Sequence, residues 1–341
     1  MFESYTIKDI AKALGLSTST VSRALNDSYE IGEKTKKLVL DYAQKVNFKP
    51  NPVALSLKEQ KSYSIGVVVC ELANNFFSQA INGIESIAYN RGYYVIVTQT
   101  YESAEREYLN VKHLVSRHVD GLLVSLSAET VDTSYYKHLH DKGFPIVFFD
   151  RVAADIDTGK VITNNFNGAF NATEHLINNG YRKIAHLTSS FNLLISQERL
   201  DGYKAALDKH QIPFRADWVK PCQHAGVVME EVEQVIADLL KGDDRPDAIF
   251  VASDRLTISC IQTLRKFNIS IPYEIAVAGF NNSEVTGLFE PGLTVVRQPA
   301  YQIGQIAMEM LIQRIESKRP PEEPITREIE PELIIRASTA R

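Results

Sequence analysis

From Ser64 onward, short apolar runs of strand length alternate with amphipathic stretches of helix length, and this alternation restricts the chain more than any other feature. The runs are Ile65–Val69, Tyr93–Thr98, Gly121–Leu126, Pro145–Phe149, Val161–Thr163, Lys183–Leu187, Ala248–Ala252 and Ile275–Gly279. Helical patterns lie between them at Phe77–Asn90, Glu105–Arg117, Gly168–Asn179, Arg199–His210, Val227–Lys241 and Leu256–Phe267. Strands alternating with helices build a parallel α/β domain, in one open sheet or in two. Ligands of such sheets bind beyond the carboxyl ends of strands, so residues just after the runs are candidates for a site. Phe76 and Phe77, Asp150 and Arg151, Asn164 and Asn165, Ser253 and Asp254, and Asn281 and Asn282 hold those positions. Asp254 is expected to cap its following helix rather than touch ligand.

The first sixty residues carry a different pattern. Ile7, Ile10, Ala11 and Leu14 recur at helical spacing after Thr6, a capping residue. Gly15 can take the positive φ that ends a helix and turns the chain, and Leu16 plugs the turn. Ser17 caps a second helix in which Val21 and Leu25 face inward, and Leu38, Val39, Tyr42, Ala43 and Val46 supply a third apolar stripe. Thr18, Ser19, Ser22 and Arg23 then form an outward face with no apolar residue. A major groove accepts such a face, and the guanidinium fork of Arg23 matches guanine O6 and N7. Periodicity alone fits a solvated interaction helix equally well. Net charge is −5, divided as +3 over residues 1–61 and −8 over the rest, which suits DNA at the N-terminal end without proving it.

The runs Thr6-Ile7-Lys8-Asp9-Ile10-Ala11 and Leu16-Ser17-Thr18-Ser19-Thr20-Val21-Ser22-Arg23-Ala24-Leu25-Asn26 resemble the LacI/GalR family of bacterial repressors. The resemblance implies base contacts from Thr18, Ser19 and Arg23, with Thr6, Ser17, Thr20, Ser22 and Asn26 holding phosphates or the fold. It also implies that residues 50–58, too short for a stable isolated helix, form a hinge helix that folds on the operator. Ala54 and Leu57 share one side of it, Leu57 wedges into the minor groove, and Lys58 lies near phosphates. The fold class implied is an all-α helix-turn-helix head joined by that hinge helix to an α/β two-lobed, periplasmic-binding-protein-like domain with parallel sheets. The expected divisions are 1–49 for the head, 50–61 for hinge and linker, and 62–341 for effector binding and dimerisation. Lobe 1 takes about 64–163 plus 294–325, with a returning helix near 301–317; lobe 2 takes about 164–293 plus 326–341, with a final strand near 329–336.

By the same resemblance Phe76 and Asp150 face the effector from lobe 1, only one of Phe76 and Phe77 doing so, while Arg199, Ser253 and Asn281 face it from lobe 2. Asn164 and Asn281 stand where the family usually has aspartate, and Asn75 where proline is common. Fewer carboxylates are therefore expected in the cleft, making an anionic ligand easier to accept. The expected effector is a sugar, with a sugar phosphate or acidic sugar as variants and a purine left open. The expected partners are a pseudo-palindromic double-stranded operator and a second copy of the chain, and the expected role is allosteric repression.

Other classes find less support. The chain shows no Gly-x-Gly-x-x-Gly, P-loop or Gly-x-Ser-x-Gly pattern, so catalysis is not expected. His138 and His140 lie two apart, a spacing unsuited to one helical face, and are read as solvent-side on a helix. Cys70, Cys222 and Cys260 are widely separated, which predicts buried reduced thiols and no metal or cofactor. No run approaches the ~20 apolar residues of a membrane span, and Met1-Phe2-Glu3-Ser4-Tyr5 lacks the order of a signal peptide. A cytoplasmic location is expected, which disfavours the alternative of an exported sugar-binding transport component.

Overall fold

A computed structural model describes residues 5–48, 61–189, 193–317 and 325–340. It divides into two compact units, residues 1–63 and 64–341.

In the first unit, α1 (Ile7–Leu14), α2 (Thr18–Leu25) and α3 (Glu33–Lys45) enclose a core of Ile10, Ala11, Val21, Ala24, Val39 and Ala43. Thr6 and Asp9 close a reciprocal capping box at the start of α1, and Gly15, at φ 65°, ends it. Ser17 caps α2 through the backbone N–H of Thr20 at 3.0 Å. Leu16 and Leu25 pack against the core as expected. Leu38 does not: it is 50% exposed, because Val39 and Ala43 take the inward side and the residue before Val39 lies about 100° round the helix.

The second unit contains two sheets. The first joins β1 (Ser64–Val69), β2 (Tyr94–Gln99), β3 (Gly121–Val124), β4 (Ile146–Phe149), β5 (Gly159–Thr163) and β11 (Thr326–Ile329) in the order β11-β5-β4-β3-β1-β2, all parallel. The second joins β6 (Ile184–Thr188), β7 (Val219–Pro221), β8 (Ala248–Val251), β9 (Ala276–Phe280), β10 (Thr294–Arg297) and β12 (Glu332–Ile334) in the order β12-β10-β9-β8-β6-β7, parallel except for β12. Helices α4 (Asn75–Asn90), α5 (Ala104–Ser116), α6 (Ser134–Asp141) and α11 (Ala300–Glu316) belong with the first sheet; α7 (Asn165–Asn178), α8 (Leu194–Lys209), α9 (Met229–Leu239) and α10 (Asp254–Lys266) belong with the second. The chain crosses between lobes after β5, after β10 and after β11.

Pairing corrects two expected boundaries. β10 belongs to lobe 2, beside β9, and β11 belongs to lobe 1, beside β5. The region expected as one final strand near 329–336 is two short ones, one per sheet. β7 was not foreseen; it is three residues long, ends on proline and lies at a sheet edge, where a missing donor is tolerated. His138 is exposed, but His140 is half-buried rather than solvent-side. The three cysteines are buried and free. Helices α4 and α11 approach so closely that a Cβ on Gly304 would lie 2.0 Å from the carbonyl oxygen of Ala80. That contact fixes α11, and with it the second crossover, against lobe 1.

Candidate DNA interface and effector cleft

On α2, Thr18, Ser19 and Arg23 are exposed, while Thr20 and Ser22 are half-buried beside the core residues Val21 and Ala24. The hydroxyls are pre-arranged: Ser17 Oγ lies 2.8 Å from both Ser19 Oγ and Thr20 Oγ1. Asn26 is exposed and its amide donates to the carbonyl of Ser22 at 2.8 Å, fixing the helix end. Thr6 is also exposed, with its hydroxyl engaged by Asp9 at 2.7 Å. Arg23 pairs with Glu30 at 2.8 Å in an exposed bridge, 58% and 45% accessible. Such pairs contribute only about 0.2–1 kcal/mol, so the guanidinium can exchange partners cheaply. Ala54, Leu57 and Lys58 fall outside the described residues.

In the second unit, a cavity of about 130 Å³ lies where the carboxyl ends of strands from both lobes meet. Lobe 1 lines it with Ser127, Thr130, Asp150 and Arg151; lobe 2 lines it with Asn165 and Glu198, and Leu126, Val152 and Leu193 are among its apolar walls. Asp150 follows β4 at φ 59°, a left-handed conformation that aspartate tolerates better than most side chains. Burial raises its carboxyl pKa, against the lowering effects of Arg151 and Arg199. Arg151 Nη1 donates to Glu102 at 2.6 Å, while its Nε stands 3.9 Å from Asp150, so Glu102 is its main ion-pair partner.

Arg199 is 4% exposed and held by protein groups: Nε donates to Asn165 Oδ1 at 2.9 Å, Nη1 donates to the carbonyl of Ala252, and the guanidinium lies 3.8 Å from the centre of the Phe280 ring. Burial lowers its pKa to about 10, which still leaves it charged near neutrality. It borders the cavity only through Asn165, whose amide donates to Glu198 at 2.9 Å.

Other expected cleft residues stand back from the cavity. Phe76 and Phe77 are buried edge to face, 5.3 Å apart, and neither ring borders it. Asn281 spends its amide on Asp254 (2.6 Å) and its oxygen on the Ser283 N–H (2.8 Å). Asp254 does not act as the helix cap expected of it; it is the first residue of α10 and anchors Asn281, with burial pushing its pKa up to about 6. Ser253 Oγ is buried with no hydrogen-bond partner among the described residues. Asn164 points away, capping α7 and donating to Glu330 at 2.8 Å.

The expectation of a carboxylate-poor cleft is therefore reversed: Glu198 accompanies Asp150. Glu198 was missed because α8 begins at Leu194, and Asn165 was placed after a strand but not at the helix start, because both helices begin earlier than periodicity placed them. The Asn164 cap was a signal for α7; no side-chain cap announces α8.

Contacts tie the lobes together around the cavity. Gln79 and Asn282 exchange hydrogen bonds at 3.0 and 2.9 Å, Glu71 pairs with Arg255, and Gln298 in the second crossover donates to Thr163 at 3.1 Å. A three-helix DNA-reading unit followed by a two-lobed unit with a cavity of mixed polar and apolar lining defines a DNA-binding regulator with a ligand-sized chamber.

The comparisons agree. A model of bacterial regulatory proteins of the lacI family matches residues 6–51, and one of periplasmic binding protein-like domains matches residues 173–339. Over 335 residues the chain is 32% identical to the HTH-type transcriptional repressor PurR of Vibrio parahaemolyticus, covering 97% of each. It is similar to the structure of a LacI family transcriptional regulator from Enterococcus faecium with bound ribose, at TM-score 0.70 and 29% identity over 81% of this chain and 98% of that one. The fold is also that of the lac repressor dimer bound to operator and the anti-inducer ONPF, at TM-score 0.83 and 23% identity over 99% and 100% of the two chains. The chain belongs to the LacI family of bacterial regulatory proteins.

Proposed function

We propose that the chain is a transcriptional repressor that binds a pseudo-palindromic operator as a homodimer, with operator affinity set by a monosaccharide-sized effector in the cleft. The observation that carries this reading is the cavity between two lobes, with Asp150, Arg151, Asn165 and Glu198 among apolar walls, in a chain whose other unit presents a small polar helix face. Thr18, Ser19 and Arg23 read base edges; Thr6, Ser17, Thr20, Ser22 and Asn26 hold phosphates or the fold; Leu57, with Ala54 on the same side, enters the minor groove, and Lys58 lies near phosphates. The effector meets Asp150, Asn165 and Glu198 directly, with Arg199 positioning Asn165.

Size and lining both favour a sugar. An apolar cavity of ~150 Å³ holds one benzene ring, so about 130 Å³ suits one small ring rather than a nucleoside or disaccharide. Carboxylates and an amide match hydroxyl groups, and no aromatic ring among the described lining residues offers a stacking face to a purine. The ribose bound to the Enterococcus faecium relative points the same way. Because Gln298 joins the cleft to the second crossover, an effector that prefers one lobe arrangement biases the whole unit.

The test titrates operator DNA with the full-length protein while adding neutral sugars, sugar phosphates, acidic sugars and nucleobases, and records melting temperature in parallel. A sugar of one class should raise the melting temperature and change operator affinity in either direction. A response to nucleobases alone would overturn the sugar reading.

A further inference from the structure

The charge of the cavity leads beyond the word sugar. Asp150 is only 7% exposed, yet its carboxylate is poorly satisfied: Gln298 reaches Oδ1 at 3.5 Å, the limit of a hydrogen bond, and the Arg151 Nε lies 3.9 Å from Oδ2. That Nε is itself buried without a hydrogen-bond partner, while Arg151 Nη1 is taken by Glu102. On the opposite lobe, Asn165 is the one hydrogen-bond partner of Glu198 among the described residues. Arg199 is directed to Asn165, Ala252 and Phe280 instead of into the cavity.

Two carboxylates, Asp150 and Glu198, thus line the cavity with one guanidinium group, Arg151, whose Nη1 is already paired with Glu102. Burying a surplus carboxylate is unfavourable unless a cation or strong donor reaches it. Burial raises the Glu198 carboxyl pKa, with Glu328 and Asp150 adding to the rise against the lowering effects of Asn165 and Arg199.

Building on the monosaccharide reading, we propose that the effector carries a protonated amine held between Asp150 and Glu198, and that Glu198 selects it over the uncharged polyol. An ammonium group offers three donors, and its hydrogen bonds to carboxylates are about twice as strong as neutral ones. The remaining ring hydroxyls fall to Ser127, Thr130 and Asn165.

The experiment uses the full chain at pH 6.5 and compares glucosamine, galactosamine and mannosamine with their neutral parents, their N-acetyl derivatives, glucose 6-phosphate and adenine. At least one amino sugar should raise the melting temperature and bind about tenfold more tightly than its parent and its N-acetyl form, the gain of a charge-assisted hydrogen bond. Glu198→Gln keeps an acceptor for Asn165 but removes the charge; it should erase that preference, bringing the amino sugar to within about twofold of its neutral parent when both are measured on the same variant. The wild-type comparison stands whether or not the variant folds, and circular dichroism of the ligand-free variant checks that it does. A neutral or phosphorylated sugar binding as tightly as every amino sugar would overturn the proposal and leave the sugar reading intact, as would a preference that survives Glu198→Gln in a folded variant. Binding of adenine alone, or of nothing in the panel, would overturn both.

Discussion

The two arginines most closely tied to recognition sit in opposite settings. Arg23, in the head, makes an exposed ion pair with Glu30, on a helix that also carries the hydroxyls of Ser19 and Thr20, both within 2.8 Å of the cap Ser17. Arg199, in the effector domain, is buried and bonded on two sides while an aromatic ring covers a third. The first can be released at little cost; the second cannot be removed without stranding Asn165 and the carbonyl of Ala252. In the head, recognition chemistry is laid over a small core that does not depend on it. In the effector domain, the groups around the ligand also hold the domain together.

The largest effect should therefore come from Arg199. Replacing it with leucine leaves buried acceptors unpaired and a carboxylate at Asp150 less compensated, with an expected loss of about 3–5 kcal/mol in urea unfolding of the effector domain. Non-specific DNA binding by the head should survive in any fraction that stays folded. A loss below about 1 kcal/mol would break the contrast, since it would make the buried network as dispensable as an exposed pair.

Acid should separate the two regions next. His186 lies in β6, stacked against Tyr203 (5.1 Å) and Phe250 (5.0 Å), with its Nε2 buried and unpartnered. Burial lowers its pKa from 6.5 to about 3. Between those values the unfolded chain binds a proton that the folded chain refuses, so stability present above pH 6.5 is lost as pH falls toward 3. Residues 1–61 contain no histidine, and the shifted carboxyl groups there, Asp9 and Asp27, are lowered below their ordinary 3.8, so the head loses stability only at lower pH. His186→Phe should match wild type near pH 7 and gain roughly 2–3 kcal/mol over it at pH 4.5. Equal acid sensitivity in the two proteins would show that His186 is protonated within the fold.

The same contrast explains what could be read from sequence. The head's signals are local: the caps Thr6 and Ser17, the stop at Gly15 and the polar face of α2 lie within a few turns of one another, and local physics decides them. Leu38 shows the limit, since an apolar residue beside the inward stripe stays exposed when a small domain has no second layer to cover it. In the effector domain, alternation revealed most strands but not which sheet β10, β11 and β12 would join. Segments of three or four residues take that choice from long-range pairing. Asp150 was legible because it follows a strong strand. Glu198 was not, because its place depends on the register of α8, whose start carries no side-chain cap.

The smallest energetic effect is the most informative about DNA. Arg23→Ala removes an exposed bridge and should change head stability by less than about 1 kcal/mol. If Arg23 reads guanine through both acceptors, the same change should cost about 1–3 kcal/mol against the preferred operator and almost nothing against an operator substituted at that one position in each half-site. Glu30 holds the guanidinium in the free protein, so Glu30→Gln should release it and strengthen operator binding slightly, by no more than the worth of an exposed pair. Fluorescence anisotropy against a panel of singly substituted operators, repeated at several salt concentrations, reads these binding changes, and urea unfolding reads the change in head stability. A uniform loss across the panel, accompanied by a salt dependence shallower by about one ion, would place Arg23 on a phosphate and pass base reading to Thr18 and Ser19. A loss confined to one base pair would show that a residue contributing almost nothing to the fold carries a tenfold or larger share of specificity.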